Sequence, residues 1–490
     1  MEKKPALNLI YALCQALQSE HVSYCHWKSN AAIDRSATGD NDLDLLIDER
    51  DSQRFTQILR RLGFKEARVA PEQQVPGIQD YFGFDAESGK LVHVHAHYHL
   101  VLGDDMTKNY RLPIERPFLD SASQGDLFRL PAPEFELVVL VVRMVLKHLT
   151  WDAILSRQGR LPKSARGELE YLRARVDCDR VRAIVQEHLA DIGVELFERC
   201  MDALRPGCPT RTRAEVGRQL QLRLATRARR SRGLDVGLKL WRRGRRAASR
   251  RLLKRVSGRR PVSGGAVIAL VGGDGAGKST AVDDLYGWLS NDFDAIKVHM
   301  GKPDWSWTTV TLRGLMKLGT ALGLFPFARA PIEYASDAPY PVFPGYAAVV
   351  REVCAARDRH RTYVKARRFA DRGGLVICDR YPIPQIKLMD GPLAGLMTEA
   401  KLATSLDRLL VGVEQRYYQR IGPPKLLMVL RLDPEIAVQR KQIEDPISVR
   451  ARNQEIWQTD WPETSAHVID ACRSKQEVSA ALKSLVWSVI

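Results

Sequence analysis

At 490 residues, 45% hydrophobic and 27% charged, the chain has the balance of a globular protein with two to four domains, which excludes a disordered or fibrous one. Its eight cysteines are scattered without a CxxC pair, which excludes a disulfide frame and a cysteine-rich zinc site. The net charge of +17 is local: residues 211–260 carry 19 Lys and Arg against two acids, Glu215 and Asp235, and the remainder is close to neutral.

Three regions follow in chain order: 1–150, 151–260 and 261–490. MEKKPALNLIYALCQ has no long apolar core or small-residue cleavage site, and Leu137–Leu146 is broken by Arg143 and too short to span a bilayer. A cytoplasmic protein is expected, at most peripheral at the inner face of the membrane. In the first region LNLIYALCQAL predicts an amphipathic helix, LDLLID an apolar strand, and SQRFTQILRRLGF a helix closed by Gly63. LVHVHAHYHLVLG alternates with period two, as a half-buried strand does, and puts His93, His95, His97 and His99 on one face. A Pro-Ala-Pro entry opens a buried helix over Leu137–Leu149.

Asp42 and Asp44 share one face of the LDLLID strand, a spacing that suits a Mg²⁺ pair for nucleotidyl transfer. With HWKSN upstream and GDND leading into the strand, the first 145 or so residues resemble the nucleotidyltransferase superfamily, in particular its uncharacterised bacterial branch. That resemblance implies Gly-Ser before the Asp pair and a third acid on a later strand. Here the first position reads Lys28-Ser29 and the second His93. The histidines could replace the acid as metal ligands or form a polar strand face, and a substrate-binding, non-catalytic domain is an equal alternative.

The second region reads as helices ending in the basic segment. Leu238, Trp241, Ala248, Leu252 and Val256 recur at helical steps, with Arg242, Arg243, Arg246 and Arg250 at other positions. The leading expectation is a connector helix that packs this stripe onto a neighbouring domain. An anionic membrane surface is the alternative partner, and nucleic acid is a weaker one because aromatic interleaving is nearly absent.

After SGRRPVSGG, strand and helix patterns alternate, which predicts an α/β fold with a parallel sheet flanked by helices. Gly272-Gly273-Asp274-Gly275-Ala276-Gly277-Lys278-Ser279, followed by Thr280, joins strand VIALVG to a helix and fits the phosphate-binding loop pattern. Backbone N–H groups and the helix N-terminus would hold phosphates, Lys278 would reach the β- and γ-phosphates, and Ser279 would serve Mg²⁺. Strand GLVICDRY ends in Asp379-Arg380, where an acid can serve Mg²⁺ and an arginine can fork onto a phosphate.

These residues, with AARDRH, LRLDPEIAVQRK and VIDACRSKQEV, make Val267–Ile490 similar to the thymidylate kinase family. The resemblance implies ATP and Mg²⁺ at the loop, Asp274 and the Asp379-Arg380 pair on the acceptor side, and Arg359 on the acceptor phosphate. It also implies a basic lid, for which Arg440, Lys441, Arg450 and Arg452 are candidates. PIPQIKLMDGP after Asp-Arg-Tyr and residues 301–345 depart from the family, so the acceptor stays open between a nucleoside monophosphate and a sugar- or glycan-related group. The departure is similar to thymidylate-kinase-like proteins associated with bacterial surface polysaccharides. The expectation is a kinase that transfers phosphate from ATP. The alternatives are an ATP-holding regulator without turnover or a bifunctional kinase/nucleotidyltransferase, and the sequence leaves room for a homodimer.

Overall fold

The computed structural model describes residues 5–156, 159–248, 258–322, 343–399, 404–461 and 464–490. The chain divides into two compact units, Met1–Val256 and Ser257–Ile490. No helix among the described residues is long and apolar enough to cross a membrane.

In the first unit, α1 (Asn8–Ser19) and α2 (Ser52–Arg61) bury Ile10, Leu13, Leu17, Phe55, Ile58 and Leu59. They share a core with the sheet of β1 (Tyr24–His26), β2 (Leu43–Ile47), β3 (Lys65–Arg68), β4 (Ile78–Asp85) and β5 (Lys90–His97). The order is β1-β2-β5-β4-β3, with β2 and β5 parallel and the other pairs antiparallel. Parallel pairing sets Asp44 opposite His95.

The alternation that predicted one long strand holds only to His97. The chain turns at Tyr98 and resumes as a two-residue strand at Val101–Leu102, so His99 leaves the histidine face and lies 3.8 Å from Glu115. Helix α3 (Pro133–His148) is buried almost all round because the helices that follow surround it. These include α4 (Lys163–Arg173), α5 (Cys178–His188), α6 (Val194–Ala203) and α7 (Thr210–Arg223), so the helices after residue 150 share a core with the first region.

The basic helix α8 (Arg232–Ala248) packs in the opposite sense to its apolar stripe. Asp235, Val236, Lys239 and Arg242 are buried, whereas Leu234 and Trp241 are 68% and 66% exposed. The reason is electrostatic. Lys239 lies 2.7 Å from Asp235 and 3.2 Å from Asp152, and Arg243 lies 2.6 Å from Asp104, so inward cations meet buried acids. Leu252, Val256 and Arg250 lie outside the described residues, as does the Arg246 side chain.

The second unit is a parallel sheet in the order β7-β8-β6-β9-β10. The strands are β6 (Ala266–Gly272), β7 (Ala295–His299), β8 (Leu375–Asp379), β9 (Leu426–Arg431) and β10 (Ala466–Asp470). β6 and β8 are buried along their whole length, which accounts for continuous apolar runs in place of alternation. Each fully buried Val, Ile or Leu there contributes about 1.5–3 kcal/mol. Crossovers through α9 (Lys278–Ser290), the long α10 (Tyr346–Asp371) and α11 (Ser405–Gln419) bring the carboxyl ends of β6, β8 and β9 to one edge. Leu270 faces Asp379 and Gly272 faces Leu430 in register.

Lys239→Ala is expected to destabilise the first unit by about 3–5 kcal/mol, because Asp152 and Asp235 would remain buried without their counter-charge. Urea denaturation would measure this, and a loss under 1 kcal/mol would mean the pair is solvated.

Candidate active site

The loop between β6 and α9 is shaped by its glycines. Gly275 and Gly277 have φ of +78° and +82°, in the left-handed region that side chains rarely adopt. At Gly273 the constraint is space, since a Cβ would lie 1.9 Å from Asn453 Oδ1. The Lys278 ammonium is buried and donates to the Gly273 carbonyl at 2.6 Å. Burial, and then the charge of Arg380, push its pKa down to about 8.

Ser279 follows at the start of α9 and donates to Asp379 Oδ2 at 3.2 Å. Asp379 Oδ1 is buried with no hydrogen-bond partner among the described residues. A hydroxyl beside a carboxylate that keeps an unshared oxygen is a donor set of hard oxygens, which fits Mg²⁺. His299, at the end of β7, lies 3.9 Å from Asp379 Oδ2.

Charges then alternate outward from the loop. Asp274 lies 2.8 Å from Arg452 and 3.5 Å from Arg380. Burial pushes the Asp274 carboxyl up, but Arg452, Lys278 and Arg380 together hold it below the usual range. Arg380 has φ +58°, a backbone state costing about 1–3 kcal/mol for a residue with a side chain. Its other contact is Asp390, 3.5 Å away, and the same carboxylate lies 3.3 Å from Arg359. Arg359, buried on α10, also donates to the Met300 carbonyl at 3.3 Å and to the Tyr418 hydroxyl. Gly301 makes room for this arrangement, because a Cβ there would lie 2.8 Å from both Arg380 Cδ and Asp390 Oδ1.

Two hollows flank the loop. One of about 290 Å³ extends from Gly277 and Thr280 past Leu430, Arg440, Arg473 and Leu482. The other, between Lys278, Arg380, Tyr381 and Asp390, is closed down to about 10 Å³.

Of the four lid candidates, two make polar contacts with the loop. Arg452, on α13 (Pro446–Gln458), pairs with Asp274, and Arg440, on α12 (Pro434–Arg440), donates to the Gly275 carbonyl at 3.3 Å. The Lys441 stem lies beside Gly275, where a Cβ would stand 3.5 Å from its Cγ, but its ammonium pairs with Glu444 at 2.8 Å. Arg450 makes a forked pair with Glu435 at 2.7 and 2.9 Å in solvent and behaves as part of a solvated basic face. Sequence reasoning missed Asp390, Asn453, Tyr418 and Glu414. Asp390 was legible only as an Asp-Gly turn within a departing segment, and residues 323–342 of the other departing segment lie outside the described residues.

Glu414 on α11 anchors the chain just after PIPQIKLMDGP by accepting from the Leu393 and Ala394 amides at 3.1 and 2.9 Å. Burial pushes its carboxyl up to about 7 despite these donors.

In the first unit Asp42 and Asp44 each take a different histidine. Asp42, with a 56% exposed side chain, lies 2.9 Å from His93 Nδ1, and His93 Nε2 lies 2.7 Å from Asp80 on β4. Asp44 is enclosed by Lys28 at 2.6 Å, His95 at 3.1 Å and His97 at 4.0 Å. Burial alone would raise its pKa, but Lys28 and then His95 hold it well below the carboxylate range.

No family model matches the chain. It is 28% identical over 196 residues to the uncharacterized ATP-binding protein YghR of Escherichia coli K12, covering 38% of this chain and 75% of that protein. The YghR of strain CFT073 matches to the same extent. Among solved structures, a thymidylate kinase from Candida albicans matches at 16% identity and a TM-score of 0.30, over 46% of this chain and 92% of that one.

The Glu414 shift gives a signed pH dependence. The native state binds more protons than the unfolded chain between the ordinary 4.5 and about 7. Stability from this group is therefore full below that window and is lost as pH rises through it. Glu414→Gln is expected to remove up to about 3 kcal/mol of the pH dependence of stability between pH 4 and pH 8, on top of a pH-independent loss of about 1–3 kcal/mol because its amide nitrogen cannot accept from one of the two backbone amides. Urea midpoints of both proteins at the two pH values measure this.

Proposed function

We propose that the second unit is a P-loop kinase that transfers the γ-phosphoryl group of ATP to an acceptor held over Arg380 and Arg359. The observation that carries this reading is the meeting of Lys278, Ser279 and Asp379 at one sheet edge, with arginines continuing outward from it. The ATP-binding description of YghR supports the nucleotide. The larger hollow, with apolar Leu430 and Leu482 and cationic Arg440 and Arg473, suits a nucleoside beside its phosphates.

The backbone amides of the loop and the Lys278 ammonium would bind and orient the triphosphate. Ser279 and Asp379 would hold Mg²⁺, which when bound neutralises phosphate charge. Arg380 and Arg359 would position the acceptor, and Arg440 and Arg452 would neutralise charge that develops during transfer.

Asp390 bears on the acceptor. It already bridges the two arginines that a phosphate-bearing acceptor would occupy. A nucleoside monophosphate would have to displace this carboxylate, whereas an acceptor presenting a hydroxyl would not. A hydroxyl acceptor would be oriented by Asp390 itself, with Arg359 and Arg380 holding that carboxylate in place, and this favours the sugar- or glycan-related class over a nucleoside monophosphate.

The test is ADP release from Mg²⁺-ATP across nucleoside monophosphates, phosphorylated sugars and lipid-linked saccharides. Acceptor-dependent turnover is expected, falling on the order of 10²-fold or more in Lys278→Ala. ATP binding without turnover on any acceptor would favour the regulator reading. Asp390→Ala should lower KM for monophosphate acceptors at least several-fold. An unchanged or raised KM would mean that Asp390 does not compete with the acceptor phosphate.

A further inference from the structure

Alternation along β5 puts His95 and His97 on the same face, and the parallel register with β2 brings Asp44 beside them. Asp44 Oδ1 lies 3.1 Å from His95 Nδ1, His95 Nδ1 lies 3.2 Å from His97 Nε2, and His97 Nε2 lies 4.0 Å from Asp44 Oδ1. A four-coordinate ion with bonds of about 2.0–2.2 Å spaces its donor atoms about 3.3–3.6 Å apart. Two edges of the triangle fall just below that spacing, and the 4.0 Å edge between His97 and Asp44 has to close slightly around an ion.

Hydrogen bonds satisfy it poorly. His95 Nδ1 faces both other donors and carries at most one proton, so one hydrogen would have to serve two contacts. The rings are held in place as well. His97 is 1% exposed and packs edge-on against Trp27 at 4.9 Å, and His95 packs against His97 at 4.3 Å.

We propose that Asp44, His95 and His97 form a binding site for a divalent transition metal ion of the zinc class. Two imidazole nitrogens and one carboxylate oxygen suit such an ion, whereas Mg²⁺ prefers an all-oxygen shell. Asp42, the expected partner of Asp44 in a Mg²⁺ pair, is held instead by His93. Three protein ligands leave a fourth position for water or substrate, the pattern of catalytic rather than structural zinc sites. Lys28 is the built-in competitor, since its ammonium lies 2.6 Å from Asp44 Oδ1 and has to move from that oxygen when an ion binds.

Chelator-stripped full-length protein would be titrated with Co²⁺ without nucleotide, following the visible d–d absorption that is intense for four-coordinate cobalt. Zn²⁺ stoichiometry would be measured by equilibrium dialysis. One equivalent is expected, with affinity reduced by at least about 10- to 100-fold in His95→Gln and in Asp44→Asn. Lys28→Met should tighten binding several-fold, a gain that misfolding cannot produce. Circular dichroism would confirm that each variant is folded. Absence of stoichiometric binding at micromolar ion would overturn the site, as would binding unchanged in folded His95→Gln and Asp44→Asn. Weaker binding in Lys28→Met would also count against it.

Discussion

The second unit depends on keeping a lysine ammonium buried at the carboxyl edge of a parallel sheet. Removing a charge from water costs several kcal/mol unless other groups replace the lost solvation. The replacements are local: the Gly273 carbonyl directly, with Asp274, Asp379 and Asp390 acting through space. Those acids need counter-charges in turn, and Arg452, Arg380 and Arg359 provide them. The loop, the end of β8 and the segment around Asp390 thus form one electrostatic chain. Gly301 belongs to it too, because a side chain there would push Arg380 and Asp390 away, while one at Gly273 would collide with Asn453, which donates to the Asp274 carbonyl.

The first unit meets the same constraint differently. Asp44 is a buried carboxylate beside the Lys28 ammonium and two imidazoles, with Lys108 acting on the same group through space, and Lys239 is a buried ammonium between two carboxylates. In the Lys239 group one ammonium serves two carboxylates, and Asp152 Oδ1 and Asp235 Oδ1 keep no hydrogen-bond partner among the described residues. The Asp44 group differs in bringing a carboxylate together with two imidazoles, whose unprotonated atoms can serve a metal ion as well as a proton.

The helical periods in the sequence matched the elements where a single face was buried, as in α1 and α2, and β2, buried on both faces, was legible as an apolar run. Periodicity misled at α8, where ion pairing outweighed the apolar stripe, and past His97, where a turn at Tyr98 interrupts an alternation that carries no signal of its own end. The loop of 272–279 was legible because its chemistry is contiguous, with glycines, lysine and serine following one another along the chain. Asp390 was not legible, because its role comes from two arginines that lie 31 and 10 positions before it.

The sequence by itself determined the α/β class of the second unit, the phosphate loop, and the presence of Asp379-Arg380 at a strand end. Each is set by short-range pattern and backbone sterics. Only the tertiary structure decided which of the cations between 440 and 452 make polar contacts with the loop, that one carboxylate bridges Arg359 and Arg380, and that Asp44 joins His95 and His97 rather than Asp42. Strand register and burial fix those relations, and they depend on distances that no local spacing encodes.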